Sequence, residues 1–436
     1  MDTSYTFLTH LKGVYGKSHA IMMKKQVGGI SLTYNSSKRK WRSEKLSHLG
    51  SSIFSEVAAW KGEALKSGLD VIDLGIGSPD QPPALEIRQT LSEAVLQEGS
   101  YSYPTSKGSV AFREKASAWM KQRFGVSVDS EDELVALMGS QDGLAHLALA
   151  ICNPGDLAIV PDPGYPIYSG SLAIAGVVPW HLPLLEKNSF LPDLDSIPEQ
   201  VWREAVFILL NFPGNPVSAE ADISFFEKLI KLARKWDVLV VHDLAYSEMG
   251  FDGYRPISIL QVPGAIDIAV EFHSFSKSFN MAGCRIGFMT GNSEAIAALR
   301  ELKGNIDYGV FQPIQEAAII ALELAMASDN YQGVADLYER RRDVFVEALA
   351  DEGWVVPKPK ATMFIWAPLP YSIIDSRVAG AREFAKELLL KTGVAIIPGD
   401  AFGTQGAGFV RIALVEDEQR LVEAAKRIGR YLREEL

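Results

Sequence analysis

Six short runs of this chain are mostly continuous in apolar residues and do not alternate: residues 134–138, 157–160, 206–210, 238–241, 266–272 and 286–290. A strand with one wet face alternates, so a run without alternation belongs to a strand covered on both faces. Between the runs lie stretches with helical spacing, among them residues 225–236. Strands and helices in alternation imply an α/β fold, with a mainly parallel sheet between layers of helix. The rhythm changes near residue 312. A helix-like stretch at 331–349 precedes separated strands at 361–367, 394–397 and 409–414, and an amphipathic helix at 417–434 closes the chain. That pattern predicts a smaller α/β domain of antiparallel character. Upstream, residues 55–67 have helical spacing, and residues 71–80 read as a short strand ending in a Gly/Pro turn.

Composition limits the partners. The 436 residues are 47% hydrophobic and 22% charged, ordinary for a globular protein, and the net charge is -11. An acidic surface argues against nucleic acid or an anionic membrane, since both are bound through excess Lys and Arg. No apolar run approaches the roughly 18 residues of a membrane span. Cys152 and Cys284 have neither metal-ligand nor redox spacing, and His181, His242 and His273 are too scattered to read as a metal site. Residues 1–45 differ from the rest. Nine basic residues, from Lys12 to Lys45, face only Asp2 and Glu44. This extension reads as a flexible arm, an organelle transit segment, or the product of a start upstream of Met22 or Met23. A cytoplasmic location is the expectation, with an organelle as the alternative.

Ligands of open parallel sheets bind beyond the carboxyl ends of the strands, so the polar residues there carry the functional reading. After residues 134–138 comes Gly139-Ser140-Gln141-Asp142-Gly143, opening a helix whose free N–H groups suit a phosphate, with Ser140 and Gln141 as contacts. Tyr165, in a Pro-Asp-Pro-Gly-Tyr-Pro turn, offers a flat ring for stacking. Asn215 is presented by the rigid turn Asn211-Phe212-Pro213-Gly214-Asn215-Pro216. His242-Asp243-Leu244-Ala245-Tyr246 supplies a carboxylate and a phenol. Last comes Ser274-Phe275-Ser276-Lys277-Ser278, with Arg285 eight positions beyond the lysine. A lysine among hydroxyls, with a fork-shaped cation nearby, reads as the covalent anchor of pyridoxal 5'-phosphate. Asp243 would then face the pyridinium nitrogen and Tyr246 the phenolate oxygen.

These strings resemble the fold-type I, class I/II pyridoxal-phosphate aminotransferases, from about Leu46 to the C-terminus. The family pattern Asn-Pro-x-Asn-Pro-Thr-Gly appears as Asn211-Phe212-Pro213-Gly214-Asn215-Pro216-Val217-Ser218, which keeps the asparagine and replaces the Thr-Gly. The resemblance implies a large cofactor domain over 81–311 with a seven-stranded type of sheet. It also implies a small domain made from 46–80 and 312–436. Catalytic roles fall on Lys277, Asp243 and Tyr246. Cofactor contacts fall on Ser140, Gln141, Tyr165, Asn215, Ser274, Ser276 and Arg285, with Tyr103 crossing to the neighbour in a homodimer with shared active sites. Substrate contacts fall on Gly77, Asn215 and Arg411, the last gripping the α-carboxylate.

The implied reaction moves an amino group between an L-amino acid and a 2-oxo acid such as 2-oxoglutarate. Asp-Leu-Gly-Ile-Gly-Ser-Pro-Asp and Asn305-Ile306-Asp307-Tyr308-Gly309-Val310-Phe311 resemble the branch containing LL-diaminopimelate, aspartate, alanine and methionine enzymes. Asn305 and Tyr308 are the candidates for a distal ammonium-carboxylate group. The same scaffold supports carbon-sulfur β-lyases and, more remotely, cofactor-sensing regulators. A regulator of that kind needs a DNA-binding domain, and residues 1–45 show no helix-turn-helix pattern.

Overall fold

The computed structural model describes residues 22–27, 30–35, 41–49, 52–327, 333–370 and 380–434. Residues 1–47 form one unit and 48–436 another. Within the first, β1 (Met22–Val27) and β2 (Ile30–Asn35) pair as an antiparallel hairpin. Residues 1–21, which hold part of the basic extension, lie outside the described residues.

The second unit starts with the helix Ser52–Lys66 and the short strand β3 (Ile72–Asp73). A seven-stranded sheet follows, built from β4 (Leu134–Leu137), β5 (Leu157–Asp162), β6 (Val178–Pro183), β7 (Ala205–Leu210), β8 (Leu239–Asp243), β9 (Ala269–Ser274) and β10 (Gly287–Gly291). Their order is β4-β10-β9-β8-β7-β5-β6. The β5, β6, β7, β8 and β9 pairings are parallel, and only β10 runs against its neighbours. Alternate residues feed the two faces: Phe288 joins Phe112 and Phe275 on one side, while Met289 joins Phe272 and Leu147 on the other. A smaller antiparallel sheet contains β11 (Phe364–Pro368), β13 (Ile397–Pro398) and β14 (Phe409–Ala413), and β12 (Val394–Ala395) pairs in parallel with β3.

Several sequence expectations change. Residues 266–268 are not strand: Ile266 lies in a 3-10 turn, and β9 begins at Ala269 and runs on through Ser274. Lys277 therefore sits on a one-turn helix, Phe275–Ser278, and not in an open turn. The run 394–397 splits into two strands that join different sheets. β6 is absent from the apolar runs, because Val178–Pro183 is an edge strand with exposed positions and two prolines. The helix expected from 331 is described as Ala335–Asp351.

The helix Ser140–Ile151 lies flush on this sheet because Gly143 has no side chain. A Cβ there would stand 2.5 Å from the Phe272 ring and 2.7 Å from Leu137. Gly143→Ala is expected to push the helix off the sheet and to cost about 1–3 kcal/mol in urea unfolding, the usual penalty of overpacking. An unchanged urea midpoint would contradict this account of the packing.

Candidate active site

Five parallel strands, β4, β5, β7, β8 and β9, end at one edge of the large sheet, and their following residues line a cavity of about 640 Å³. After β4, Ser140 and Gln141 open the helix Ser140–Ile151. Gly139 ahead of it has φ 77°, and a Cβ on it would lie 2.8 Å from Arg285 Nη2, so only glycine admits the guanidinium beside the helix N-terminus. Arg285 Nη1 donates to Ser276 Oγ at 3.3 Å and to the Ala282 carbonyl at 3.0 Å. Ser274 caps the short helix by accepting from Ser276 N–H at 3.2 Å. A fixed cation, a helix N-terminus and hydroxyl groups thus share one end of the cavity, the chemistry of an anion pocket.

Lys277 Nζ projects from the short helix and donates to the Gly77 carbonyl. Burial, then the Arg411 and Arg285 cations, lowers its pKa from 10.5 to about 8. Asp243 ends β8. Its Oδ2 accepts from Tyr168 OH at 2.8 Å, while Oδ1 is buried with no partner. Burial raises its pKa to about 6, with Tyr168 and His242 acting against that shift. Tyr246 lines the same cavity and packs edge-on to Phe364, and burial raises its phenol pKa. Tyr165 OH donates to Gln141 Oε1 at 3.1 Å.

Arg411, in the middle of β14, reaches this cavity from the smaller sheet. It is 3% exposed and stacks on Phe364 and Phe402. Nη1 donates to Asn215 Oδ1 at 2.9 Å and Nη2 to the Gly75 carbonyl at 2.7 Å, and Nε has no partner. Among the described residues no carboxylate pairs with it. Burial lowers its pKa to about 10, so it stays a cation near neutral pH. Asn215 is held by its own N–H, which donates to Asn211 Oδ1 at 2.8 Å. Gly77 is packed so closely that a Cβ would lie 2.9 Å from the Phe364 ring.

Of the residues expected from sequence, twelve thus face one cavity: Gly77, Ser140, Gln141, Tyr165, Asn215, Asp243, Tyr246, Ser274, Ser276, Lys277, Arg285 and Arg411. Tyr103 does not. It is 90% exposed, with its ring 5.8 Å from that of Tyr308. Tyr308 and Asn305 also lie outside the lining, and Asn305 Nδ2 donates to the Glu301 carbonyl at 2.9 Å. Sequence reasoning missed Tyr168 and Asn211, which brace Asp243: Asn211 Nδ2 donates to the Asp243 carbonyl at 2.5 Å. Tyr168 stands three positions after Tyr165, in the helix Ile167–Ala175 that follows the turn. Also missed were Lys61 and Asp73, which line the cavity as an ion pair.

The profile of "Aminotransferase class I and II" matches residues 69–428. The chain belongs to the class I and II aminotransferases. LL-diaminopimelate aminotransferase of Halothermothrix orenii is 43% identical over 88% of this chain and 97% of its own, and that of Gloeobacter violaceus is 43% identical over 88% and 96%. A solved structure described as a probable N-succinyldiaminopimelate aminotransferase from Thermus thermophilus matches with a TM-score of 0.80 and 39% identity, over 87% of this chain and 99% of that one. As a member of this family, the chain is a transaminase of fold type I that depends on pyridoxal 5'-phosphate.

The lowered proton affinity of Lys277 can be read in the aminotransferase without cofactor. Below its folded pKa the amine is charged and unreactive; above it the neutral amine is exposed to electrophiles. Labelling with a small amine reagent, followed residue by residue by mass spectrometry, should show Lys277 reacting with a midpoint near pH 8. A midpoint near the ordinary lysine value would contradict the electrostatic account of the cavity.

Proposed function

We propose that this aminotransferase takes its amino group from LL-diaminopimelate and passes it to a 2-oxo acid such as 2-oxoglutarate. The observation that carries the reading is Arg411, a buried cation without a carboxylate among the described residues, in the same cavity as the buried amine of Lys277. Such a cation calls for an anionic ligand, and a guanidinium suits the two oxygens of an α-carboxylate. The choice of donor is supported by the relatives named for LL-diaminopimelate.

The residues fit the cofactor at three points. Oδ1 of Asp243 is a buried acceptor in want of a donor, as a pyridinium N–H would supply, and a cation there offsets the burial that raises its pKa. Arg285, Ser140, Gln141, Ser274 and Ser276 would hold the phosphate at the anion pocket. Tyr165 would stack on the ring, with Tyr246 and Asn215 at its oxygen. When bound, the cofactor supplies the electron sink for the bond electrons at the substrate Cα. Arg411, Asn215 and the Gly77 backbone orient the substrate so that its α-proton meets Nζ of Lys277. The neutral amine takes that proton and returns it as an ammonium. A pKa near 8 leaves an appreciable neutral fraction at physiological pH.

We further read the exposed Tyr103 and Tyr308 as part of a surface that meets a second copy, with Tyr103 reaching the neighbour's phosphate pocket. The free thiols of Cys152 and Cys284 suit a reducing, cytoplasmic setting. The large domain would span 81–311 and the small one 46–80 with 312–436. Pairing of β3 with β12 supports that division. Residues 1–45 would be an appendage to both.

The decisive assay supplies cofactor and 2-oxoglutarate and compares LL-diaminopimelate, aspartate, alanine and methionine as donors. LL-diaminopimelate should lead in kcat/KM by about tenfold or more. A clear preference for another donor would overturn the choice of substrate. Lys277→Ala should lower kcat by at least about 10²-fold, the scale of general acid–base catalysis. Sustained turnover without this amine would remove it from the mechanism. Arg411→Ala should raise KM for every donor by about 10–100-fold, as loss of a charge-assisted contact of about 1.5–3 kcal/mol implies. An unchanged KM would assign the carboxylate to another residue.

A further inference from the structure

One charged pair in the cavity has no part in the cofactor pocket or the α-carboxylate site. The helix Ser52–Lys66 lines the cavity through Phe54, Val57, Ala58 and Lys61, the spacing of a single helical stripe. Three of the four are apolar. Lys61 is the exception: its side chain is 25% exposed, and Nζ pairs with Oδ2 of Asp73, 19% exposed. Oδ1 of Asp73 accepts from Gly75 N–H at 3.0 Å, and the Gly75 carbonyl is the one that accepts from Arg411 Nη2 at 2.7 Å. Asp73 and Arg411 are therefore linked through a single residue, which keeps Oδ1 and Nη2 within about 10 Å of each other by ordinary bond lengths.

A partly exposed Lys–Asp pair adds only about 0–1 kcal/mol to stability. The same residues are better suited to recognition. An ammonium and a carboxylate side by side complement a ligand head that carries both charges on one carbon.

We propose that Lys61 and Asp73 form the distal subsite of this aminotransferase: Lys61 takes the far carboxylate of a diaminodicarboxylic acid, and Asp73 its far ammonium, while Arg411 holds the near carboxylate. This rests on the reading of the enzyme as a diaminopimelate transaminase. In extended diaminopimelate the near carboxyl carbon and the far amine nitrogen lie about 7.5 Å apart by bond lengths of about 1.5 Å; with a contact of about 3 Å at each end this exceeds the span from Arg411 to Asp73, so the flexible chain binds bent. Binding exchanges one ion pair within the protein for two with the ligand, so neither charge is left unpaired. A donor with only one distal charge can satisfy only one of the two side chains and sets the other against a void or a like charge.

Two analogues separate the partners. L-lysine is LL-diaminopimelate without its far carboxylate, and L-2-aminopimelate is the same skeleton without its far ammonium. Lys61→Met keeps the stem and removes the cation; Asp73→Asn removes the anion and keeps an acceptor for Gly75 N–H. With each holoenzyme, kcat/KM is measured for all three donors, and the ratios are taken within one protein so that changes common to every donor cancel. Lys61→Met should reduce the preference for LL-diaminopimelate over lysine by about tenfold or more, and Asp73→Asn its preference over 2-aminopimelate by as much, both through KM. Should a variant fail to fold, Lys61→Gln and Asp73→Ser give the same comparison. Ratios within about twofold of the parent enzyme, in a parent that turns over LL-diaminopimelate, overturn the subsite and leave the donor assignment standing. A parent that ignores LL-diaminopimelate in favour of another donor overturns both.

Discussion

Strands that run in parallel must deliver their carboxyl ends to one edge of the sheet, because each crossover carries the chain back to the opposite edge before the next strand begins. In this aminotransferase five strands obey that constraint and place Ser140, Tyr165, Asn215, Asp243 and Lys277 around one cavity. No segment of contiguous sequence holds the site. The antiparallel strand β10 is consistent with this arrangement: it brings the chain back between β4 and β9 just after Arg285 has been set beside Gly139.

Charges concentrated in a low-dielectric cavity alter one another. Burial acts on all three principal groups and always disfavours the charged form, lowering the pKa of Lys277 and Arg411 and raising that of Asp243. The consequences differ. The lysine moves into the range where it can exchange a proton, whereas the arginine begins so high that it stays a fixed charge. Asp243 keeps one oxygen tied to Tyr168 and one without a partner, a costly state for the protein alone that a cationic ligand relieves. Behind it, Glu271 accepts from His242 and His273 at 2.8 Å each, which outweighs its burial and holds its pKa at about 2. His242 Nε2 lies 3.0 Å from the Phe212 carbonyl, so this buried group ties β8 and β9 to the loop that carries Asn215.

Much of this could be read from residues alone where a local pattern has only one physical use. Apolar runs without alternation marked the buried strands, and the hydroxyl-rich string around Lys277 marked a lysine that lines the cavity. What escaped had no local pattern. β6 is a partly exposed edge strand with two prolines, and the break in residues 394–397 arises because Val394 pairs with β3 and Ile397 with β14. The role of Tyr168 depends on Asp243, 75 positions along the chain, whose carboxylate its hydroxyl meets.

The kinds of reactive group, and the alternation of strand and helix that collects them, follow from residue type and short spacing, and both are written along the chain. Which of those groups meet is a matter of long-range packing. Arg411 and Asn215 are separated by 196 positions yet share a hydrogen bond, and Lys277 and Gly77 by 200. Asp73 and Lys61 come together only where β3 pairs with β12 and a helix face turns toward the same cavity. Pairing across such separations comes from the packing of two sheets, and no periodicity along the chain encodes it.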